Sequence, residues 1–282
     1  MYAIRLLTNI DGSLFDTPHL SQHIVAMQPF TFVQIPCLTD NYCVLVHDAA
    51  SGLTAAIDAP DAATISATLD EREWRLTEIF VTHHHHDHTA GCRALVDRYG
   101  CKVTGPESEA ERIPGLTRAV RGGSELSFAN QIIRVIETPG HTLGHVSYYF
   151  PETATVFTGD TLFALGCGRL FEGDAEMMFT SLQKLAALPG ESKVFCGHEY
   201  TLANARFAAT VEPENDTLLK RCKAIEVLIA AGKPTLPTTI GEERATNPFL
   251  RTHSTAIRAR LGMNSEPDWK VFARLRELKN KA

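Results

Sequence analysis

Five histidines and one aspartate are concentrated in the segment THHHHDH at residues 82–88. Alternate side chains of an extended segment point to the same side, so His83 and His85 can bind one metal ion in the spacing HxHxDH. Asp87 and His88 lie one step further along and can bind a second ion. Imidazole and carboxylate ligands suit zinc, iron or manganese. A solvated polar loop would leave this concentration of ligands unexplained, and a purification tag would be terminal rather than internal.

Three residues elsewhere in the chain can complete these two ligand sets. His141 follows Thr-Pro-Gly, a sharp turn that would direct it towards the first ion as a third ligand. His198, in Cys-Gly-His-Glu-Tyr, is the corresponding candidate for the second ion, and Asp160 can bridge both ions with its two oxygens. His84 and His86 would face elsewhere, and we interpret them as structural residues. The combination of these residues, rather than any one alone, predicts a two-metal centre.

Short runs of β-type residues precede these polar groups. The runs at 79–82, 132–138, 155–158 and 193–196 lead into His83, His141, Asp160 and His198, respectively. Crevices at the carboxyl ends of strands are the usual ligand sites of α/β proteins. We therefore expect these strands to be neighbours in one sheet and to deliver the ligands to one edge.

Helices are predicted between and after the strands. Asp61 can cap a helix that runs to about residue 72, and Asp174 can cap an amphipathic helix that Pro189 and Gly190 end. A helical stripe covers 217–231, and the pattern from Asp268 onwards is also helical. The strands thus lie before about residue 200, and the remainder is predicted to be mainly helical. Residues 1–27 are predicted to form a poorly ordered extension.

The composition is that of an ordinary globular protein. The chain has 282 residues, of which 44% are hydrophobic and 21% charged, and a formal net charge of −6. This acidic balance provides no attraction to nucleic acid or to an anionic membrane. The sequence contains no run of about 18 apolar residues, so no transmembrane helix is predicted. The seven cysteines are never spaced as CxxC, which predicts reduced thiols and a cytoplasmic location.

Five stretches of the chain resemble a known family. They read THHHHDHTAG, TPGHTLGHVSYY, FTGDTLFALGCGR, CGHEYT and NPFLR. The chain resembles the metallo-β-lactamase superfamily and, within it, the glyoxalase II (hydroxyacylglutathione hydrolase) family, over about residues 30–251. The resemblance implies an α+β fold, with a four-layer αββα sandwich at 28–200 and a C-terminal α-helical domain at 201–282 that completes the substrate pocket.

The resemblance also implies the metal ligands that the spacing suggests. His83, His85 and His141 would bind one divalent ion, Asp87, His88 and His198 the other, and Asp160 would bridge them. Zinc is the expected metal, with iron or manganese as alternatives.

The implied reaction is hydrolysis of S-(2-hydroxyacyl)glutathione thioesters, such as S-D-lactoylglutathione, to glutathione and D-lactate, the second step of methylglyoxal detoxification. Two neighbouring ions can share one water and lower its pKa, so that hydroxide attacks the thioester carbonyl near neutral pH. Asp87 and Asp160 are the expected catalytic residues, and Asp87 would orient the hydroxide. Cys196 is the only tempting nucleophile, but a buried strand cysteine is the better interpretation because His198 is committed to metal.

Four further residues are expected to bind this small-molecule substrate. Arg169 and Arg251 match basic residues that the family uses for the glutathione carboxylates, and their guanidinium groups suit that role. Tyr200 matches a tyrosine placed beside the tripeptide, and Phe171 stands where many relatives have tyrosine. A second basic contact is usual, but residues 252–258 do not identify it. The chain is expected to act as a monomer.

Other functions compete with this one. A glutathione persulfide dioxygenase would share the fold and the thiol but use one iron, and a β-lactam or lactone hydrolase or a tRNA-processing nuclease would be other enzymes on this scaffold. A metal-binding scaffold protein is the alternative outside enzymes. The complete set of seven ligands counts against a scaffold, because degeneration usually removes ligands.

Overall fold

The computed structural model describes residues 30–282. The predicted poorly ordered extension at 1–27 lies outside the described residues. The regular structure of the described residues consists of two six-stranded sheets, a two-stranded hairpin, nine α-helices and three 3₁₀ turns.

The first sheet is formed by strands in their chain order. Its members are β1 (Thr31–Cys37), β2 (Asn41–Asp48), β3 (Leu53–Ile57), β4 (Leu76–Phe80), β5 (Lys102–Pro106) and β6 (Arg118–Val120). The pairs from β1 to β3 are antiparallel and the pairs from β3 to β6 are parallel. A turn at residues 38–40 joins β1 to β2.

The second sheet has the order β14-β13-β10-β9-β8-β7. Its strands are β7 (Glu125–Phe128), β8 (Gln131–Glu137), β9 (Val146–Phe150), β10 (Thr155–Gly159), β13 (Lys193–Cys196) and β14 (Thr238–Thr239). A small hairpin of β11 (Leu162–Phe163) and β12 (Gly166–Cys167) stands beside it. The prediction that strands end near residue 200 is wrong for β14, which pairs antiparallel with β13 and so ties the helical part to the sheet.

The helices begin where the sequence provides caps. They are α1 (Ala62–Glu71), α2 (His86–Thr89), α3 (Cys92–Tyr99), α4 (Ala175–Ala186), α5 (Thr201–Val211), α6 (Asp216–Ala230), α7 (Ile240–Thr246), α8 (Thr255–Leu261) and α9 (Asp268–Asn280). Asp61 and Asp174 accept hydrogen bonds from the first backbone N–H groups of α1 and α4, as predicted. None of these helices combines the length and hydrophobicity needed to cross a membrane.

Period-two burial along the strands produces the layers. In β9, Tyr148 packs into the core between the two sheets, whereas its neighbour Tyr149 packs on the outer face of the second sheet. The core between the sheets is aromatic, with Phe80 of the first sheet against Phe128 and Tyr148 of the second. Interdigitated side chains of this kind hold two sheets face to face.

Helices cover the outer faces of both sheets. Ile65 of α1 and Leu95 of α3 are fully buried against the first sheet, in a cluster that includes Leu45 and Ile79. On the second sheet, apolar residues of α4 pack together with α9, whose Phe272 is also fully buried. The predicted four-layer αββα sandwich followed by a helical region is confirmed.

The arrangement of the ligand-bearing strands differs from the prediction. β4, which leads to the histidine cluster, belongs to the first sheet, whereas β8, β10 and β13 belong to the second. The expectation of one shared sheet is therefore wrong. Sequence spacing shows where a strand ends but not which strand it pairs with, because pairing depends on packing between distant segments.

Candidate metal centre

The two sheets meet at the edge where the polar groups emerge. The N–H of Val146 donates to the carbonyl of Thr82 at 2.9 Å, and that of Tyr42 donates to the carbonyl of Gly197 at 2.8 Å. These bonds cross between the sheets, next to the histidine cluster on one side and next to His198 on the other. All seven candidate ligands are thereby delivered to one place.

The first ligand set consists of His83, His85 and His141. His83 Nε2 lies 3.0 Å from His85 Nδ1, which in turn lies 3.0 Å from His141 Nε2. The outward nitrogen of His141 donates to the carbonyl of Arg169 at 2.9 Å, and that of His83 lies 3.0 Å from the hydroxyl of Thr82. A partner on the outer nitrogen fixes the ring and leaves the inner lone pair for a metal.

The second ligand set consists of Asp87, His88 and His198. The Nε2 atoms of the two histidines are 3.2 Å apart, and Oδ2 of Asp87 lies 3.4 Å from that of His198. Their outward nitrogens are held by carboxylates: His88 Nδ1 lies 2.8 Å from Asp58, and His198 Nδ1 lies 2.8 Å from Asp40. Asp87 and His88 lie on the short helix α2 rather than on an extended segment.

Asp160 lies between the two sets. One oxygen is 3.3 Å from both His141 Nε2 and His198 Nε2, and the other is 3.5 Å from His88 Nε2. Its backbone N–H donates to Nε2 of buried His145 at 3.0 Å, so His145 supports Asp160 and is not a member of either set.

Gly159, directly before Asp160, has a φ of +46°, and a Cβ there would stand 2.6 Å from both the His145 ring and the Thr82 hydroxyl. Only glycine fits at this bend.

The geometry and the electrostatics of the cluster fit bound cations. Nitrogens around a tetrahedral zinc ion lie about 3.3 Å apart, close to the spacing of these facing imidazoles. Oδ1 of Asp160 is buried without a hydrogen-bond partner in the described residues.

Burial and the nearby His141 lower the pKa of His85 to about 4, which keeps this ring neutral and able to bind metal. At His88 burial opposes charge, but Asp160 and Asp58 raise its pKa to about 9, as expected where negative charge is in excess.

A cavity of about 680 Å³ opens beside the cluster. Five of the candidate ligands form part of its wall: His85, Asp87, His141, Asp160 and His198. Phe163 and Cys167 of the β11–β12 hairpin and Asn204 of α5 also line it. The volume is within the range of small-molecule sites.

Three of the four predicted substrate residues, Arg169, Phe171 and Tyr200, line this cavity. The Tyr200 ring stacks on the His198 ring at 4.9 Å, and burial with the nearby Asp40 raises the pKa of Tyr200 to about 12, so its hydroxyl stays protonated. Phe171 is 64% exposed and meets the rings of His85 and His141 edge-on.

Arg251 is not among the residues that line the cavity. Its guanidinium makes two hydrogen bonds, at 2.8 and 2.9 Å, to the buried carboxylate of Glu212 at the end of α5. The expected role of Arg251 in substrate binding is therefore not supported by its position, because its charge is already paired within the helical region.

Two cations that the sequence analysis missed do line the cavity. Arg276 and Lys279 lie three residues apart on α9, so they share one face of that helix. Arg276 is only 6% exposed and donates to the carbonyl of Cys167 at 2.7 Å. The signal that could have indicated them is an arginine on the apolar face of a predicted helix, next to Val271 and Leu275.

Comparison with known protein families gives matches along most of the chain. A sequence profile of the metallo-β-lactamase superfamily matches residues 39–198, and a profile described as hydroxyacylglutathione hydrolase C-terminus matches residues 199–282. Curated proteins named hydroxyacylglutathione hydrolase from Brucella ovis and Brucella abortus are 55% identical over 247 residues. The alignments cover 88% of this chain and 96% of each relative.

Solved structures also resemble the chain. ETHE1 from Myxococcus xanthus has a TM-score of 0.63 at 27% identity and covers 88% of this chain and 90% of its own. TTHA1623 in a di-iron-bound form has a TM-score of 0.56 at 27% identity and covers 78% of this chain and 100% of its own. BLEG-1 B3 metallo-β-lactamase shares the fold, with a TM-score of 0.61 at 24% identity. The alignment covers 78% of this chain and 99% of the BLEG-1 chain.

Proposed function

The chain belongs to the hydroxyacylglutathione hydrolase family of the metallo-β-lactamase superfamily, and from this premise we propose how its own residues carry out the reaction. The enzyme is a thioester hydrolase that cleaves hydroxyacylglutathione. We propose S-D-lactoylglutathione as its substrate, with glutathione and D-lactate as products.

Two divalent ions are proposed to occupy the centre, and zinc is the preferred metal. His83, His85 and His141 would hold one ion and Asp87, His88 and His198 the other, while Asp160 faces both. The two compact ligand sets support a count of two, as does the likeness to TTHA1623, whose structure is di-iron-bound. Iron and manganese remain alternatives because the same ligand types suit all three metals.

When bound, the two ions would supply a water acidic enough to attack near neutral pH and positive charge for the thioester carbonyl oxygen. The chain's own residues then have separate tasks. Asp87, whose side chain is 44% exposed at the ligand end of the cavity, can accept a hydrogen bond from the attacking water and so orient it. The hydrogen bond from the backbone N–H of Asp160 to His145 helps to keep the Asp160 carboxylate between the two sets.

The leaving group needs little assistance. The parent thiol has a pKa of about 8.5, so the thiolate departs without a strong general acid. Burial raises the pKa of the Cys196 thiol, and its Sγ donates to the carbonyl of His198 at 3.4 Å. Cys196 is therefore a protonated structural residue, which agrees with the sequence analysis and counts against a cysteine nucleophile.

The cations along the cavity are proposed to bind the glutathione moiety. Arg169, Arg276 and Lys279 line the cavity together with the ligand residues and suit the two carboxylates of the tripeptide. The protonated hydroxyl of Tyr200 can donate to the substrate beside His198. Phe171 offers an apolar surface near the first ligand set but no hydroxyl.

The single observation that carries this mechanism is that Asp160 joins two ligand sets at the end of a cation-lined cavity. The test is turnover of S-D-lactoylglutathione by purified protein, with metal content measured on the same sample. We expect two ions per chain and loss of turnover after chelation. A thioester of N-acetylcysteamine, which lacks the glutathione carboxylates, serves as the matched substrate and should have a much higher KM. A fully metallated sample that cleaves no acylglutathione would contradict the proposal.

The same measurement separates the alternative functions. A glutathione persulfide dioxygenase would need one iron, so the second ligand set of Asp87, His88 and His198 counts against it. A non-catalytic metal scaffold would bind metal without turnover.

We also propose that the chain is monomeric. It would have a catalytic part at 28–200 and a substrate-binding helical part at 201–282. We further propose that it works in the cytoplasm. All seven cysteines lie in the described residues and none forms a disulfide, which supports a reducing compartment. Light scattering coupled to size exclusion should give the mass of one 31.0 kDa chain.

A further inference from the structure

A buried carboxylate outside the two ligand sets joins the loops that carry the first one. Glu109 is 3% exposed and lies in the 3₁₀ turn Glu107–Arg112, which follows β5. It does not line the cavity and is separated in sequence from every candidate ligand. A charged group buried in this way needs several hydrogen bonds to be stable.

Glu109 accepts four hydrogen bonds, two at each oxygen. Oε2 accepts from the backbone N–H of His84 at 2.7 Å and from its ring Nδ1 at 2.8 Å. Oε1 accepts from the hydroxyl of Thr142 at 2.5 Å and from the N–H of Gly144 at 2.9 Å. His84 stands between ligands His83 and His85, so one side chain holds the histidine segment and the segment after β8.

The second segment is packed directly onto this carboxylate. Thr142 follows the ligand His141, and Gly144 precedes His145, which supports Asp160. A Cβ at Gly144 would stand 2.3 Å from the Ser108 hydroxyl and 2.6 Å from Glu109 Cγ. The spacing between the two segments is therefore set by contact as well as by hydrogen bonds.

Glu109 is not itself placed to bind a metal. Its oxygens lie within 4.8 Å of ligand atoms of His84 and Glu172, a grouping that could resemble a third metal site. Each oxygen already accepts two hydrogen bonds, however, and Glu172 is paired with Arg112 at 2.8 Å. The positions around Glu109 are thus taken by donors from the chain.

The two ligand sets differ in how they are held. The outer nitrogens of His88 and His198, in the second set, bind Asp58 and Asp40 directly. In the first set, the outer nitrogens of His83 and His141 contact the neutral hydroxyl of Thr82 and the carbonyl of Arg169. Glu109 contacts no ligand ring of the first set; it holds the residues next to the ligands, through the backbone N–H groups of His84 and Gly144 and the side chains of His84 and Thr142.

We propose that Glu109 is a positioning residue that sets the distance between His83, His85 and His141, and thereby the metal affinity of the first ligand set alone. The inference rests on the proposed two-metal centre. In Glu109→Gln, an NH₂ group must face the backbone N–H of either His84 or Gly144, so the negative charge and at least one of the four hydrogen bonds that join the two segments are lost. Loss of such supporting groups typically lowers metal affinity by about 10- to 100-fold.

Zinc binding at controlled free zinc concentrations tests the inference without an activity assay. For the unmodified protein we expect two zinc ions per chain. His141→Ala removes one ligand of the first set and His198→Ala one ligand of the second, so the binding step lost in each variant identifies the set to which it belongs. In Glu109→Gln, the step that is lost in His141→Ala should weaken by about 10-fold or more, while the step lost in His198→Ala stays unchanged.

Two further variants make the result interpretable. Glu78 is a comparably buried carboxylate, 6% exposed, that accepts from Thr104 and Arg118 in the first sheet, away from the ligand segments. Glu78→Gln should leave both zinc steps unchanged. Thr142→Val removes one of the four donors and should weaken the same step as Glu109→Gln by a smaller factor, which keeps the test available if Glu109→Gln does not fold.

The outcomes separate this inference from the proposed function. Two unchanged zinc steps in Glu109→Gln, or in Thr142→Val if only that variant folds, would overturn the positioning role while leaving the two-metal centre intact. Equal weakening of both steps would also overturn it, because the effect would then be general. An unmodified protein that binds only one zinc would instead contradict the metal count on which the inference rests.

Discussion

At the scale of single residues, the position of a cation decides between substrate binding and structural support. Arg251 is bound to Glu212, whereas Arg169, Arg276 and Lys279 line the cavity. Lys279 is half-buried, donates to the carbonyl of Ala203 at 3.1 Å and forms no salt bridge within residues 30–282. Binding of the glutathione carboxylates is therefore expected to depend on Arg169, Arg276 and Lys279 and not on Arg251.

A comparison of Lys279→Ala with Arg251→Ala tests this assignment. Lys279→Ala should raise KM for the glutathione thioester by about 10-fold with little change in kcat, because a charge-assisted contact contributes about 1.5 kcal/mol or more. Arg251→Ala should leave KM close to that of the unmodified enzyme but lower the free energy of unfolding. Steady-state kinetics and urea denaturation on both variants provide the check. A large KM effect in Arg251→Ala alone would reverse the assignment.

At the scale of elements, the NPFLR stretch holds the hairpin of β11 and β12 against the helical region. The side-chain amide of Asn247 donates to the carbonyls of Phe163 and Gly166, at 3.2 and 2.9 Å. Glu243 of α7 accepts from the N–H of Leu165 at 2.8 Å and from Asn247 at 2.9 Å. Since Phe163 lines the cavity, this polar cluster positions part of its wall.

Asn247→Ala would leave two buried carbonyls of the hairpin without this donor. We expect it to lower the free energy of unfolding by about 2 kcal/mol and to raise KM, because the cavity wall loosens. Urea denaturation and kinetics measure the two effects. The exposed Asn264, whose side chain makes no hydrogen bond among the described residues, provides the control variant Asn264→Ala. Equal effects in the two variants would contradict a special role for Asn247.

The pair of Glu212 and Arg251 links α5 to the segment that precedes α8. Burial alone would raise the pKa of Glu212, but hydrogen bonds from Arg251, Ser254 and Asn215 lower it to about 2. In an unfolded chain the pKa of a glutamate is about 4.3. The folded value is the lower one, so this stabilisation is complete above about pH 4.3 and is lost as the pH falls towards 2.

Glu212→Gln should therefore destabilise the protein at pH 7 by about 2 kcal/mol and have a much smaller effect at pH 3. Urea denaturation at the two pH values checks this. Glu214→Gln is the matched control, because the Glu214 side chain is 66% exposed where it pairs with Arg260 and should contribute little. A destabilisation by Glu212→Gln that is the same at both pH values would show that its charge is not responsible.

At the scale of the whole molecule, the metal centre lies where the two sheets meet. His83, His85, Asp87 and His88 follow a strand of the first sheet, whereas His141, Asp160 and His198 follow strands of the second. Bound ions would thus connect the two halves of the sandwich. A ligand that binds only the folded state stabilises it in proportion to its affinity.

Removal of metal should consequently lower the melting temperature of the entire chain. At a free zinc concentration of 100 times Kd, each ion contributes about 2.7 kcal/mol. Calorimetry before and after chelation, followed by addition of zinc, measures the loss and its recovery. A variant such as His198→Ala should lose part of the metal-dependent increment. An unchanged melting temperature after complete removal of metal would contradict this coupling.

Much of the fold and of the ligand inventory follows from the sequence alone, because those signals are local. The HxHxDH spacing, the turn before His141 and the caps Asp61 and Asp174 each depend on residues within a few positions. The short runs of β-type residues before polar groups likewise indicated where the strands end. These features predicted the types of ligand, their approximate grouping and the change to a helical region.

Tertiary structure decided what depends on residues far apart in the chain. Only the fold shows that the candidate ligands come from two sheets and that Arg276 and Lys279 rather than Arg251 line the cavity. Only the fold shows, too, that Glu109 joins two of the segments that carry candidate ligands. Residue type determines which contact a side chain can make, and local spacing determines its direction along an element. Which partner it meets is decided by packing of the whole chain, because the free energy of each long-range contact depends on all the others.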